Sequence, residues 1–229
     1  MKVLLFLLVL TVGLVVAADR VAENITEDQV ATRIAERGEL AGPPEVEITG
    51  FPFLTQALGG RYEDVRISLT AEQLGQPAGT VAHVSLRGVH VPLSDVLSGS
   101  VEEIPVERVE GTATLSYELL AAQLGGDTTL AAEGDGLRLT RTVELLGVEV
   151  PLTAAGTVEL DGQEVVVDVD QAAAAGLGVP DFVVDRAADL LDFRYPVPAL
   201  PFGLQVTGVQ PEREGVQVSV QATDTVLGG

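Results

Sequence analysis

Apolar and polar residues alternate with a period of two along much of the chain, a pattern typical of half-buried β-strands. In one run Val65, Ile67 and Leu69 share a face, and the residues between them are polar. Runs with this pattern cover residues 65–70, 81–93, 104–112, 137–150, 157–160, 165–169 and 216–221. Turn sequences separate several runs, and Asp161-Gly162 predicts a tight hairpin turn.

Three segments have the spacing of amphipathic helices instead. Residues 26–29 have the form of a capping box, which predicts a helix over residues 27–37 that stops at Gly38. A second helix is predicted over 115–124, capped by Thr114 or Ser116, and a third over 180–193, beginning at Pro180. Many strands with few helices predict an α+β fold, in which residues 19–229 form a single domain.

The N-terminus has the pattern of an export segment. Lys2 precedes an apolar run over residues 3–18, and Asp19 and Arg20 end that run. A membrane-spanning helix needs about 20 apolar residues, whereas signal-peptide cores are shorter, and the small residues before Asp19 permit cleavage after Ala18. A cleaved signal peptide and a retained membrane anchor both stay open. Either would export the domain to the periplasm or cell-wall side.

Charge and cysteine content remove several classes of function. The chain has 34 acidic and 13 basic residues, a formal net charge of −21, and no cysteine. Nucleic-acid binding and docking on anionic lipid through a basic patch both depend on clustered cations, so neither is expected. Solubility alone is the simplest explanation of the charge. Thiol catalysis, disulfides, thiolate metal sites and lipid attachment through a cysteine are excluded.

The sequence contains no recognisable catalytic constellation. It lacks a nucleophile elbow, a P-loop and a dinucleotide fingerprint. His83 and His90 lie on one predicted strand without a third metal ligand, and the Asp168-Val169-Asp170 triplet is better explained as a solvated strand end. We therefore predict no enzyme activity, no metal and no cofactor.

The aromatic residues are concentrated in two segments. Phe51, Phe53 and Tyr62 fall in the first, and Phe182, Phe193, Tyr195 and Phe202 fall in the second. They could mark the hydrophobic core, line one end of an apolar cavity, or do both.

These two segments resemble a known family. The segment Gly50-Phe51-Pro52-Phe53-Leu54-Thr55-Gln56-Ala57-Leu58-Gly59-Gly60-Arg61-Tyr62 is similar to the hallmark of the LmeA-like phospholipid-binding family of actinobacteria. Leu200-Pro201-Phe202-Gly203-Leu204-Gln205-Val206 is similar to that family's C-terminal motif. The resemblance in layout covers residues 20–228, and the first motif is its most specific part.

The resemblance implies an exported protein that binds phospholipid and is linked to lipomannan and related envelope glycolipids. It also implies a fold like the tubular lipid-binding proteins, with a long, bent antiparallel sheet wrapped around one or two helices. We expect non-catalytic binding of a phospholipid in an apolar groove at a membrane surface, with transfer of that lipid as a further possibility that the resemblance leaves open.

On this hypothesis two groups of side chains form facing walls of the groove, and Arg61 is the candidate headgroup contact. The walls are Phe51, Phe53, Leu54 and Leu58 on one side and Phe182, Val183, Leu190 and Phe202 on the other. The alternative is a structural or adaptor module that binds an envelope protein through an exposed apolar surface. A weaker third hypothesis is a glycolipid-modifying enzyme, which would need two carboxylates facing each other across a cleft.

Overall fold

The structure is a computed structural model that describes residues 2–98, 101, 103–124, 128–145, 148–162, 164–174, 193–196 and 200–228. The helices are α1 Lys2–Arg37, α2 Phe53–Gly59, α3 Ala71–Leu74, α4 Leu93–Ser98 and α5 Tyr117–Leu124, and Pro201–Gly203 forms a 3-10 turn. The strands are β1 Glu45–Thr49, β2 Arg61–Leu69, β3 Val81–His90, β4 Glu103–Ser116, β5 Thr128–Glu133, β6 Gly136–Leu145, β7 Val148–Asp161, β8 Glu164–Ala174, β9 Phe193–Pro196, β10 Gln205–Pro211 and β11 Gly215–Gly228.

The strands form two sheets, and every strand pair with a described register is antiparallel. A six-stranded sheet has the order β1-β2-β3-β4-β11-β10, and a five-stranded sheet has the order β5-β6-β7-β8-β9. The larger sheet is open, with β1 and β10 at its edges. The predicted α+β class is confirmed, while the wrapping of the sheet around a helix stays a prediction.

The chain divides into two compact units. The first comprises residues 1–69, 83–110 and 222–229, and the second comprises residues 70–82 and 111–221. The core of the first unit is built from the inward residues of its strands, among them Val46, Ile48, Val65, Val106 and Val109. In the second unit Val158 of β7 packs with Val206, Val209 and Val216 of β10 and β11.

Several predicted elements are confirmed. Val65 is buried and Arg66 exposed on β2, as the alternation requires. Asp161 pairs with Glu164 across the predicted hairpin turn, where Gly162 has φ 63°. The cap of α5 is Ser116, whose hydroxyl oxygen accepts a hydrogen bond from the Leu119 amide at 3.2 Å.

The predicted helix start at residue 27 is wrong, because α1 runs without a break from Lys2 to Arg37. The Thr26 hydroxyl donates to the Ala22 carbonyl at 2.8 Å, one turn back, instead of capping a new helix. No proline interrupts residues 2–37 and Gly13 is the one glycine among them, so the apolar helix simply continues. The predicted stop at Gly38 is confirmed.

Two further predictions need correction. The run 137–150 is divided between β6 and β7, with Leu145 paired to Val148, because an antiparallel hairpin has the same alternation on both sides of its turn. The helix predicted over residues 180–193 lies outside the described residues except at Phe193. That residue begins β9 and pairs with Val167 of β8, because the edge of the sheet is available to it there.

Candidate apolar site on helix α2

The segment Gly50–Tyr62 forms the connection between β1 and β2, with α2 at its centre. The Gln56 side chain joins the two strand ends: its Nε2 donates to the Thr49 carbonyl at 3.1 Å, and its Oε1 accepts from the Glu63 amide at 2.9 Å. Gly50 has φ 105°, and a Cβ there would lie 2.7 Å from the Gln56 Nε2. This glycine is therefore needed for both its backbone conformation and its close approach to Gln56.

The first turn of α2 is capped from another element. Pro52 is the N-cap residue and makes no side-chain hydrogen bond there. The carboxylate of Asp19 on α1 accepts hydrogen bonds from the Phe53 amide at 3.0 Å and the Leu54 amide at 2.8 Å. Asp19 is only 1% exposed. Because the first amides of a helix have no partners inside it, this carboxylate fixes α2 to α1.

Phe53 points inward from α2. It is buried, and its ring packs against that of Tyr62, with 6.2 Å between the ring centroids. Burial raises the pKa of the Tyr62 hydroxyl. The two aromatic residues therefore belong to the core of the first unit and hold α2 on the sheet.

The C-terminal end of α2 is fixed against the link between β3 and α4. Gly60 has φ 63°, and its carbonyl accepts from the Val91 amide at 2.9 Å. A Cβ on Gly60 would lie 3.0 Å from the Pro92 Cα. Glycine is thus required here, and α2 is held at both ends.

Three large apolar side chains on α2 and its lead-in point away from the core. Phe51 is 59% exposed, Leu54 36% and Leu58 73%. Leu54 and Leu58 are four residues apart and therefore lie on one side of α2, whereas Phe51 lies in the lead-in, just before the N-cap residue Pro52. We name this surface the α2 apolar face. The Arg20 guanidinium lies 5.2 Å from the centroid of the Phe51 ring, within the range of a cation–π contact.

The structure places the sequence-predicted site residues in different surroundings. Phe51, Leu54 and Leu58 form the α2 apolar face, whereas Phe53 is buried beneath it. Arg61 forms an exposed ion pair with Glu107 at 2.7 Å. Phe202 belongs to the second unit, where it is 45% exposed with φ 58°. Phe182, Val183 and Leu190 lie outside the described residues, so the two-walled groove stays a prediction.

Other candidate chemistry is sparse in the described part of the chain. His83 Nδ1 lies 3.0 Å from the Ser68 hydroxyl, and His90 Nδ1 lies 2.9 Å from the Gly88 carbonyl. Among the described residues no group of three or more His, Asp or Glu could hold a metal ion. An open depression of about 340 Å³ in the second unit is lined partly by Glu118, Arg213 and Glu214. It is too small and too charged for a diacyl lipid.

Helix α1 has the length and composition needed to cross a membrane. It has 36 residues, and the mean hydropathy of its apolar part is 2.3. Large apolar side chains between Val3 and Val16 are exposed, whereas Asp19, Glu23 and Ala31 are buried on one face. A signal sequence would meet the same criterion, so the finding is compatible with either an anchor or a signal peptide.

Comparison with known families identifies one family whose model covers most of the chain. The description LmeA-like phospholipid-binding matches residues 17–221. The chain belongs to this family. No curated protein and no solved structure matches the chain. The match begins two residues before Asp19, so the part of α1 that contacts the domain falls within the LmeA-like region.

Two residues that hold α2 in place, Asp19 and Gln56, have roles that the sequence hardly indicates. The sequence predicts Asp19 only as the end of the apolar run and predicts no role for Gln56. An acidic residue preceding a segment by more than thirty positions carries no local sign that it caps that segment's helix. The sequence indicates the role of Gln56 only weakly: a polar residue between apolar ones on a short helix often forms hydrogen bonds with nearby backbone groups.

Proposed function

We propose that this LmeA-like protein binds a phospholipid without chemically altering it, on the outer side of the cytoplasmic membrane. The support is the family match over residues 17–221, together with the α2 apolar face. The most specific segment of the family motif leaves three large apolar side chains exposed. We take this exposed face as the observation that carries the proposal, because large apolar side chains grouped on one surface segment are typical of a site for an apolar ligand or a membrane.

The proposed ligand fits the chemistry of these residues. Burying acyl chain contributes about 0.8 kcal/mol per methylene group, so even partial enclosure gives useful affinity. We propose that Phe51, Phe53, Leu54 and Leu58 contribute one wall of the groove, with Phe53 as the buried residue that supports the three exposed ones. Phe182, Val183, Leu190 and Phe202 would contribute the other wall.

Arg61 is the proposed headgroup contact. Its pair with Glu107 is exposed on both sides, with side-chain exposures of 61% and 52%. Exposed ion pairs contribute little stability, so exchanging Glu107 for a lipid phosphate would cost little. A guanidinium can also bind phosphate through two parallel hydrogen bonds.

The proposed location is the periplasm or cell-wall side, with a membrane surface as the working partner. The apolar length of α1 supports export whether or not its first part is removed. Transfer of the lipid and a role in maturation of lipomannan-type glycolipids in an actinobacterium follow from the family resemblance and remain part of the proposal.

Native mass spectrometry of the full chain, purified without added lipid, tests the proposed function. We expect a stoichiometric phospholipid adduct, and extraction of the same sample identifies its headgroup. Leu190→Asp should lower retention of the lipid, whereas Thr223→Asp, at an exposed position on β11, should leave it unchanged. An unliganded mass with no uptake from liposomes would contradict lipid binding and favour the adaptor alternative.

A further inference from the structure

The two halves of α1 have different surroundings. Large apolar side chains from Val3 to Val16 are exposed, most of them by more than half. From Asp19 onward one face of the helix contacts the first unit: Asp19, Glu23 and Ala31 are buried, and the Glu27 carboxylate accepts from the Ile48 amide at 2.7 Å. The apolar half thus projects from a folded unit to which the second half is firmly attached.

The contacts between α1 and the first unit fix the position of α2 along the axis of α1. Residues 3–18 rise about 24 Å as a helix, close to the roughly 30 Å hydrocarbon thickness of a bilayer. Asp19 follows immediately, and the Phe53 and Leu54 amides lie within 3.0 Å of its carboxylate. If residues 3–18 lie in a bilayer, the first turn of α2 therefore lies at the boundary between acyl chains and headgroups.

The side chains near Asp19 and the first turn of α2 are of the types that favour the boundary between acyl chains and headgroups. The α2 apolar face offers a phenylalanine and two leucines. Arg20, 54% exposed, lies over Phe51 and donates to the Glu23 carboxylate at 2.7 Å, so an aromatic ring and a held guanidinium lie side by side at the expected boundary. Val21 and Ile25 are also exposed, so α1 keeps apolar side chains beyond Asp19 for shallow immersion.

We propose that the α2 apolar face docks into the outer leaflet of the bilayer that holds residues 3–18 of α1. The inference rests on the proposed function only in placing the protein at a membrane. The docking is apolar, because the net charge of −21 does not favour electrostatic attraction to anionic lipid. The LmeA-like motif then lies at the headgroup level, where a phospholipid leaves or enters the membrane.

Site-directed spin labelling of the full chain in phosphatidylcholine vesicles tests this docking. The chain has no cysteine, so Phe51→Cys, Leu58→Cys and Thr223→Cys each carry a single label. We expect labels at 51 and 58 to collide more with lipid-soluble oxygen than with a water-soluble nickel chelate. The label at 223, an exposed position on β11, should show the opposite preference. This preference should persist when anionic lipid or salt is added.

A second variant separates docking from simple anchoring by α1. In the Leu58→Cys background, Leu54→Glu should return the label to water and raise its collisions with nickel several-fold. Thr32→Glu, which adds the same charge at an exposed position on α1, should not. Water-accessible labels at both 51 and 58 in vesicles would overturn the proposal. So would shielding that appears without vesicles and grows with protein concentration, because it would mean contact with a second copy.

The outcome is independent of the lipid-adduct measurement. Docked labels with no co-purified lipid would retain this inference and refute the groove. A stoichiometric lipid adduct combined with water-accessible labels would support the groove and refute the docking.

Discussion

Asp19 stands at the end of an apolar run in the sequence, but in the structure its side chain caps helix α2. Its side chain is almost completely buried, and both carboxylate oxygens accept amide hydrogens from the first turn of α2. Hydrogen bonds to a charged group are stronger than neutral ones, and a donor left unpaired in the interior costs more than the bond itself contributes. One side chain therefore connects the N-terminal helix α1 to the Gly50–Tyr62 segment.

Replacement of Asp19 tests this connection. Asp19→Ala should lower the free energy of unfolding by about 1–3 kcal/mol, because two amide donors lose their acceptor. Asp19→Asn keeps one acceptor oxygen and should lose less. Chemical denaturation measures the change, and amide hydrogen exchange should be faster at Phe53 and Leu54. The control Thr32→Ala, at an exposed position, should stay within about 0.5 kcal/mol of the parent. Equal stability of Asp19→Ala and the parent would contradict the capping role.

At the scale of elements, α2 is a short helix held by its surroundings. With seven residues it could not persist alone in water. Asp19 caps its beginning, where Phe53 also packs against Tyr62; Gln56 attaches its middle, and Gly60 fits its end against Pro92. Because the whole inner side is fixed by these contacts, Phe51, Leu54 and Leu58 stay exposed without loosening the helix.

Two neighbouring glycines at the end of α2 provide a matched pair of variants. Gly60→Ala should destabilise the protein by about 1–2 kcal/mol, because the left-handed conformation is unfavourable for alanine and the new Cβ meets Pro92. Gly59→Ala places a Cβ in open space within the last turn. It should leave stability unchanged or raise it by about 0.5–1 kcal/mol. Thermal and denaturant unfolding compare the two, and equal effects would contradict the proposed fit of Gly60.

At the scale of the whole molecule, α1 belongs to two environments. Its first half contributes apolar surface, while its second half supplies buried residues and hydrogen-bond acceptors to the first unit. The folded part therefore begins within a continuous helix, and the expected cleavage point after Ala18 coincides with the first buried residue. Cleavage there would release the apolar half and keep every contact from Asp19 onward.

Two truncations separate these roles. A chain beginning at Asp19 should fold with the same free energy of unfolding as the full protein, because residues 2–18 contribute no buried side chain. A chain beginning at Gly38 should lose at least about 3 kcal/mol, since the Ile48, Phe53 and Leu54 amides lose their acceptors. Circular dichroism during denaturation gives both values. A stable chain from Gly38 would show that the second half of α1 is dispensable.

The sequence by itself determined the class of fold and several of its elements. Alternation of apolar and polar residues is a local consequence of strand geometry, so β2 and the Asp161–Glu164 hairpin were predictable. The cap of α5 was predictable only as Thr114 or Ser116, and the structure selects Ser116. The motif segment was equally visible as a cluster of aromatics, and its family resemblance is confirmed. The apolar composition of residues 3–18 fixed their tendency to leave water, whatever the rest of the chain does.

Tertiary structure decided which members of the motif are buried and which are exposed. Phe51 and Phe53 are the same residue type two positions apart, yet one is 59% and the other 3% exposed. Their difference depends on contacts outside α2: Asp19, 34 residues away in sequence, accepts from the Phe53 amide, and the Tyr62 ring packs against the Phe53 ring. The continuity of α1 past Thr26 was also undecided locally, because the same residues can cap a helix or extend one. Contacts between residues far apart in sequence decide such cases. The free-energy difference between two local conformations is small there, and a single buried hydrogen bond contributes more.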